Sequence, residues 1–363
     1  MLKGNKGEWS EVYTFFKLLA DGKLYSADEH LNKTSAYINI LSINRLHQTS
    51  SLEYEVQSPM INVIDVSTQS IIVSITQAEA LKISSELFNE IDSAGGSSFG
   101  ISQTLENKIA GYKIDKVKEK SGNKGDINIF IHDPKNGVST KKKFSIKSFI
   151  GSTPTIFNAN MTTNIIYEII DNNGTRLPNA EISRINAIVT NHKYIDRITE
   201  IQRLGYSIKY SSFEDSTFRL NLELIDSKLP EIVAFIVKQK FTHRISKINE
   251  VIDSLNKNNP IGYDLSEGHN FYEYRIINFL MEATLGMTST TVWSGVYDVI
   301  GGLIIVKNNA DVVCFHLVDF NKFKSYLKNS AKLDNPSGSK MGYGVVYEKN
   351  NKSFIKLNFQ IKA

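Results

Sequence analysis

Residues 126–148, "DINIFIHDPKNGVSTKKKFSIKS", commit this chain to an antiparallel hairpin. Apolar and polar residues alternate up to Ile131, "DPKNG" supplies a proline and an Asn-Gly for the connection, and alternation resumes at Phe144. Period two puts Ile127, Ile129 and Ile131 on one face of the outgoing strand, with Asp126, Asn128 and Phe130 on the other. In the return strand Phe144, Ile146 and Ser148 point one way; Ser145, Lys147 and Phe149 point the other. Ser145 and Lys147 therefore stand side by side, and Asp126 joins them if it shares their face.

A carboxylate beside an ammonium suits a phosphodiester. The carboxylate is a hard oxygen ligand for Mg2+, and the ammonium offsets phosphate charge and holds a water molecule. The ordinary alternative is a half-exposed hairpin with polar outer residues. A chemical site needs a second carboxylate, and the opening segment offers two. Residues 5–20, "NKGEWSEVYTFFKLLA", place Trp9, Val12, Tyr13, Phe16, Leu19 and Ala20 on one broad helical face, widened by Phe15 and Leu18. Glu8 and Glu11 fall within or beside that apolar arc. Glu8 sits three residues after Asn5, the spacing of a capping box. Glu11 has no such local role. A buried carboxylate requires a paired charge or a cation, so Glu11 is the first choice to complete a metal site and Glu8 the second.

Charge is unevenly spread. Ten lysines and four acids lie between Lys113 and Lys147, so that window carries +6 while the rest of the chain sums to −2. Lys141, Lys142 and Lys143 belong to it. Such a patch attracts a polyanion, of which nucleic acid is the commonest, although a solvated lysine-rich loop has the same composition. A single Cys314 excludes an intrachain disulfide framework and a cysteine zinc site. His192, His243, His269 and His316 show no metal-ligand spacing, and no glycine-rich phosphate loop is present, so neither zinc nor ATP is expected. The polar start, with no apolar signal region, and the absence of any long apolar run give no membrane span. They lead to the expectation of a cytoplasmic protein.

Periodicity predicts helices over 8–20, 77–92, 191–204, 228–238, 243–257 and 270–284. It predicts strands over 60–66, 70–75, 126–131, 143–149, 164–170, 303–307, 312–317, 343–348 and 353–361. Helices and strands do not alternate strictly, which predicts an α/β mixed (α+β-like) fold with a central mixed sheet flanked by helices. "DSAGGSSFG" (92–100) reads as a flexible loop, "SGNKG" (121–125) as a turn, and "LNKNNPIGYDLSEG" (255–268) as the best linker.

Asp126, Ser145-Ile146-Lys147 and an acid on the opening helix resemble the PD-(D/E)XK nuclease superfamily, with serine in the usual place of an acid. The stretches "NKGEWSEVYTFFKLLADGKLYSAD" (5–28), "FSIKSFIGSTPTIFNANMTTNIIYEI" (144–169), "KLDNPSGSKMGYG" (332–344) and "IKLNFQIKA" (355–363) resemble more narrowly the HpaII-type restriction endonucleases. The resemblance implies a restriction-endonuclease-like core near residues 1–175, with recognition elements over 176–363, although one intertwined domain stays open. It implies a Mg2+-dependent type II restriction endonuclease cutting double-stranded DNA at a short site, CCGG for the family's namesake. A cognate DNA methyltransferase is the implied functional partner, and a homodimer is possible. Carried over by position, Asp126 and Glu11 are metal ligands, with the backbone carbonyl of Ile146 a further one. Lys147 is the catalytic lysine, and Ser145 replaces the second acid. Glu11 lies four residues after Gly7, the superfamily's usual spacing for its helix glutamate. Asn158 and Asn160 are candidates for DNA-backbone contacts, and Asn335 and Lys340 for base contacts. Two rivals remain: a repair or structure-specific nuclease on the same core, and a catalytically decayed DNA-binding module.

Overall fold

The computed structural model describes residues 1–47, 50–118 and 125–363. The expected turn at 121–125 lies, apart from Gly125, outside the described residues. The chain forms two compact units. One comprises Met1–Pro154 with Tyr297–Tyr326, and the other Thr155–Val296 with Leu327–Ala363. This division differs from the single cut near residue 175 expected above, because a late segment returns to the first unit to complete its sheet.

That sheet has nine strands, in the order Lys23–Ala27, Val312–His316, Gly302–Val306, Val138–Ser148, Ile127–Asp133, Lys33–His47, Ser50–Gln57, Met60–Asp65 and Ser70–Thr76. It is mixed, as expected. Gly302–Val306 runs parallel to Val138–Ser148, Lys23–Ala27 runs parallel to Val312–His316, and the other pairings are antiparallel. Lys23–Ala27 also pairs with Lys33–His47, so six of the strands form a closed circuit.

The opening helix, Lys6–Asp21, begins at a capping box in which Asn5 accepts from the Glu8 N–H and Glu8 accepts from the Asn5 N–H. It ends at Gly22, whose φ of 60° is the left-handed conformation glycine adopts freely. Its arc Trp9, Val12, Tyr13, Phe15, Phe16, Leu18 and Leu19 is completely buried, in one core with Ile127, Ile129, Phe144, Ile146, Ile304 and Val306. Of the segment 92–100, residues 92 and 93 close helix Gln77–Ser93 and the rest is a loop whose end is tied down. Phe99 and Gly4 exchange backbone hydrogen bonds, and the Phe99 carbonyl accepts the Trp9 indole N–H at 3.1 Å.

The second unit has an antiparallel four-stranded sheet (Ser207–Phe213, Ile165–Ile170, Lys352–Leu357, Val346–Lys349) and a three-stranded one (Lys332–Asp334, Gln360–Lys362, Thr155–Phe157). The strand expected over 353–361 is two strands in two sheets. The break is Asn358, fully buried, whose amide bonds to the Asn160 carbonyl and the Thr163 hydroxyl, both at 2.9 Å. The expected linker 255–268 does not separate the units, since both its flanks lie in the second. Asn259 ends helix Ile248–Asn258 in the left-handed region, and its side chain binds Tyr263 and the Tyr272 hydroxyl, folding the segment back. Among the described residues no helix is long and apolar enough to cross a membrane.

The pair Gly301-Gly302 lets the returning strand close on the hairpin. Gly302 has φ of 133°, and a methyl there would overlap the Phe315 carbonyl oxygen. Gly302→Ala is expected to lower the urea midpoint by an amount equivalent to roughly 2–3 kcal/mol. At Gly174, where φ is also positive but space is open, alanine should cost about 1 kcal/mol.

Candidate active site

The hairpin register pairs Ile127 with Phe144, which leaves Asp126 opposite Ser145 at the mouth of the strand pair. Asp126 donates its N–H to the Phe144 carbonyl at 2.8 Å. Its Oδ2 accepts from the Ser145 hydroxyl at 3.0 Å and from the Ile146 N–H at 2.7 Å. Two donors from the return strand thus aim one carboxylate oxygen, and Oδ1 takes no part in either bond. On the other side of the return strand, Ser145 pairs with Leu303 and Lys147 with Ile305, both fully buried. Lys147 therefore emerges from the middle of the sheet, between hydrophobic neighbours.

Electrostatics joins the opening helix to the hairpin. Burial pushes the Glu11 carboxyl up to about 8, and the negative charge of Asp126 adds to it. Lys118 and Arg45 act in the opposite direction, and Glu8 contributes a smaller rise. The Lys147 ammonium is drawn below the ordinary lysine range, chiefly by burial, while Asp126 and Glu11 oppose that shift and Lys118 reinforces it. Asp126 acts on both Glu11 and Lys147, and Glu11 acts on Lys147. Glu8 does not join them as a ligand: its carboxylate closes the helix cap.

The donor set fits a divalent cation. A buried carboxyl beside a second carboxylate presents hard oxygen donors whose mutual repulsion a divalent cation would offset. Among the described residues no group of three or more His, Cys, Asp or Glu side chains is placed to hold a metal. An ion here would rest on the two carboxylates, with backbone oxygen and water completing the shell, an oxygen-donor set suited to a hard divalent cation.

The remaining expected residues lie elsewhere. Lys141 is exposed, its ammonium 6.0 Å from the Phe130 ring, while Lys142 and Lys143 are half-buried farther along the hairpin. Asn158, Asn160, Asn335 and Lys340 belong to the second unit, and all four are exposed. Asn160 has a structural task there: its side chain accepts from the Met161 N–H at 2.7 Å, capping the short turn Met161–Thr163. The loop carrying Asn335 and Lys340 is firmly held. Asn164 donates to the Met341 carbonyl at 2.9 Å, the Tyr343 hydroxyl donates to the Pro336 carbonyl at 3.0 Å, and Gly338 and Gly344 pack against the Tyr194 ring.

Two cations escaped the sequence reasoning. Arg45 donates to the Lys116 carbonyl at 2.6 Å from a nearly buried position. Its signal was present: an arginine two residues after Ile43, on the core-facing side of a strand. Lys118 carried no signal that set it apart from the lysines around it.

An aimed aspartate, a sheet-embedded lysine and a helix glutamate are set on this mixed sheet, and the family matched by residues 5–363 makes the chain a site-specific deoxyribonuclease of the restriction-endonuclease class, a hydrolase of phosphodiester bonds in double-stranded DNA. Residues 5–363 match the HpaII restriction endonuclease family, and the chain belongs to that family. It is 35% identical over 362 residues to the type II restriction enzyme HpaII of Haemophilus parainfluenzae, covering 99% of this chain and 98% of that one. No solved structure matches it. Enzymes of this class work with divalent metal ions.

Glu11 makes stability pH-dependent when the metal is removed. Its carboxyl ionises near 4.5 when unfolded and near 8 when folded, so between those values the folded chain holds the extra proton. Stability contributed at Glu11 therefore falls as pH rises through that window and levels off above it. In EDTA, Glu11→Gln should match the parent near pH 4 and exceed it at pH 9 by on the order of 3–5 kcal/mol. Urea unfolding at the two pH values checks this, and an equal offset at both would contradict it.

Proposed function

We propose that the chain hydrolyses DNA at CCGG with Mg2+, using Asp126, Glu11 and Lys147 as its chemical groups. The observation that carries this reading is the Asp126 carboxylate, aimed by Ser145 and Ile146 of the strand that carries Lys147, with its charge acting on both Glu11 and Lys147. Asp126 and Glu11 would hold the cation, with the Ile146 carbonyl as a third oxygen donor. Bound there, Mg2+ supplies Lewis-acid neutralisation of charge on the phosphate and a water of lowered pKa. Lys147 contacts a non-bridging phosphate oxygen and orients the attacking water in line with the 3′ oxygen that leaves. Its lowered pKa eases proton exchange with that water. Ser145 orients Asp126 through its hydroxyl and is not itself a ligand.

Lys141, Lys142 and Lys143 supply positive charge along the hairpin for the DNA backbone, and Asn158 and Asn160 further backbone contacts. Asn335 and Lys340 are the base-reading candidates, exposed on a loop that is already rigid. CCGG has twofold symmetry, which a homodimer meets most simply. A host carrying this enzyme requires a methyltransferase acting on the same sequence.

The test is digestion of a sequenced plasmid with Mg2+, followed by sequencing of the ends. Discrete fragments ending within CCGG are expected. A smear, or cutting only at junctions, would assign the chain to repair. Binding without cleavage in Mg2+ or Mn2+ would make it a decayed DNA-binding module. Asp126→Asn and Glu11→Gln should each reduce cleavage at least about 1,000-fold while DNA binding persists. Ser145→Ala should cost about 10- to 100-fold, and Ser145→Asp should be worse, because a third carboxylate would face Asp126.

A further inference from the structure

The opening helix and the catalytic strand are joined by one polar contact inside an apolar interface. Ser10, with none of its surface exposed, has its hydroxyl 2.8 Å from the Ser148 hydroxyl. Ser10 immediately precedes Glu11, and Ser148 immediately follows Lys147. The surroundings are hydrophobic: Val12, Ile146, Ile150 and Val306 belong to the same buried core. A hydroxyl in such a place costs free energy unless it is bonded, so the two serines constrain each other.

The Ser10 hydroxyl has one proton and lies 2.7 Å from the Lys6 carbonyl, the usual acceptor one helical turn back. The Ser10 hydroxyl is also the donor to the Ser148 oxygen, so its one proton is shared between the two acceptors. The Ser148 oxygen in turn accepts the Ile150 N–H at 3.2 Å. Helix backbone, two hydroxyls and strand backbone form one continuous line. Apolar side chains tolerate sliding of a helix on a sheet, whereas this line is satisfied at one placement only.

We propose that the Ser10–Ser148 pair is a positioning device, which fixes the depth and rotation of the opening helix so that Glu11 meets Asp126 and Lys147. The proposal rests on the roles given to Glu11 and Lys147 above. It adds two residues that touch neither substrate nor cation and act through their chain neighbours. Misplacement of a reacting group by about 1 Å costs on the order of 100-fold in rate, whereas DNA binding spread over a wide surface is indifferent to it.

The experiment compares the parent, Ser10→Ala, Ser148→Ala, the double variant and Ser148→Thr on plasmid DNA with Mg2+. Melting temperature and DNA affinity in EDTA are measured alongside. Each alanine variant is expected to lower kcat about 10- to 100-fold, with KM and metal-free DNA affinity within about twofold. The double variant should be no slower than the slower single one, since either change breaks the same line. Ser148→Thr keeps the hydroxyl at a half-buried position and should return kcat to within about threefold of the parent. Unchanged kcat in both single variants would overturn the proposal. So would multiplicative losses in the double variant, or losses that follow melting temperature and appear equally in metal-free binding. A parent protein that cuts no DNA would instead defeat the function proposed above, so the two failures are distinguishable.

Discussion

Scarcity of water around three ionisable side chains governs this molecule. Glu11 approaches from a helix whose apolar arc is completely buried, Lys147 from the middle of a sheet, and Asp126 from the open end of a hairpin. Burial moves the Glu11 carboxyl up and the Lys147 ammonium down, and the Asp126 charge acts on both. Ser145 belongs to this balance. A carboxylate in its place would stand against the Asp126 oxygen that it now binds at 3.0 Å. A neutral hydroxyl donates where an acid would repel, so Ser145 helps to hold Asp126 in place.

The elements legible in the sequence were those in which one periodicity runs without interruption. The opening helix, its capping box and the hairpin all lie where their patterns place them, and Glu11 stood out because an acid interrupted an apolar arc. Strand Lys33–His47 was missed for a physical reason. A register shift between Ile40 and Ser42 breaks its alternation, so its core residues fall out of phase halfway along. Arg45, which tempers Glu11, was hidden with it.

Other failures came from long-range bonds. Nothing local in "IKLNFQIKA" reveals that Asn358 divides it, because its partners are Asn160 and Thr163, about two hundred residues earlier. "NNPIGYDLSEG" has the composition of a linker, yet Asn259 and Tyr272 fold it inward. Likewise, the pairing of Gly302–Val306 with the catalytic strand is invisible to any window shorter than the separation between them.

That late pairing bears on the order in which the enzyme is made. A ribosome that has finished the first 154 residues has already produced Glu11, Asp126, Ser145 and Lys147. It has not yet produced the strand that flanks Ser145 and Lys147 from the other side, which ends at Val306. The catalytic strand therefore has an open edge through the synthesis of about 150 further residues. Chains that stop short of that strand lack the finished sheet.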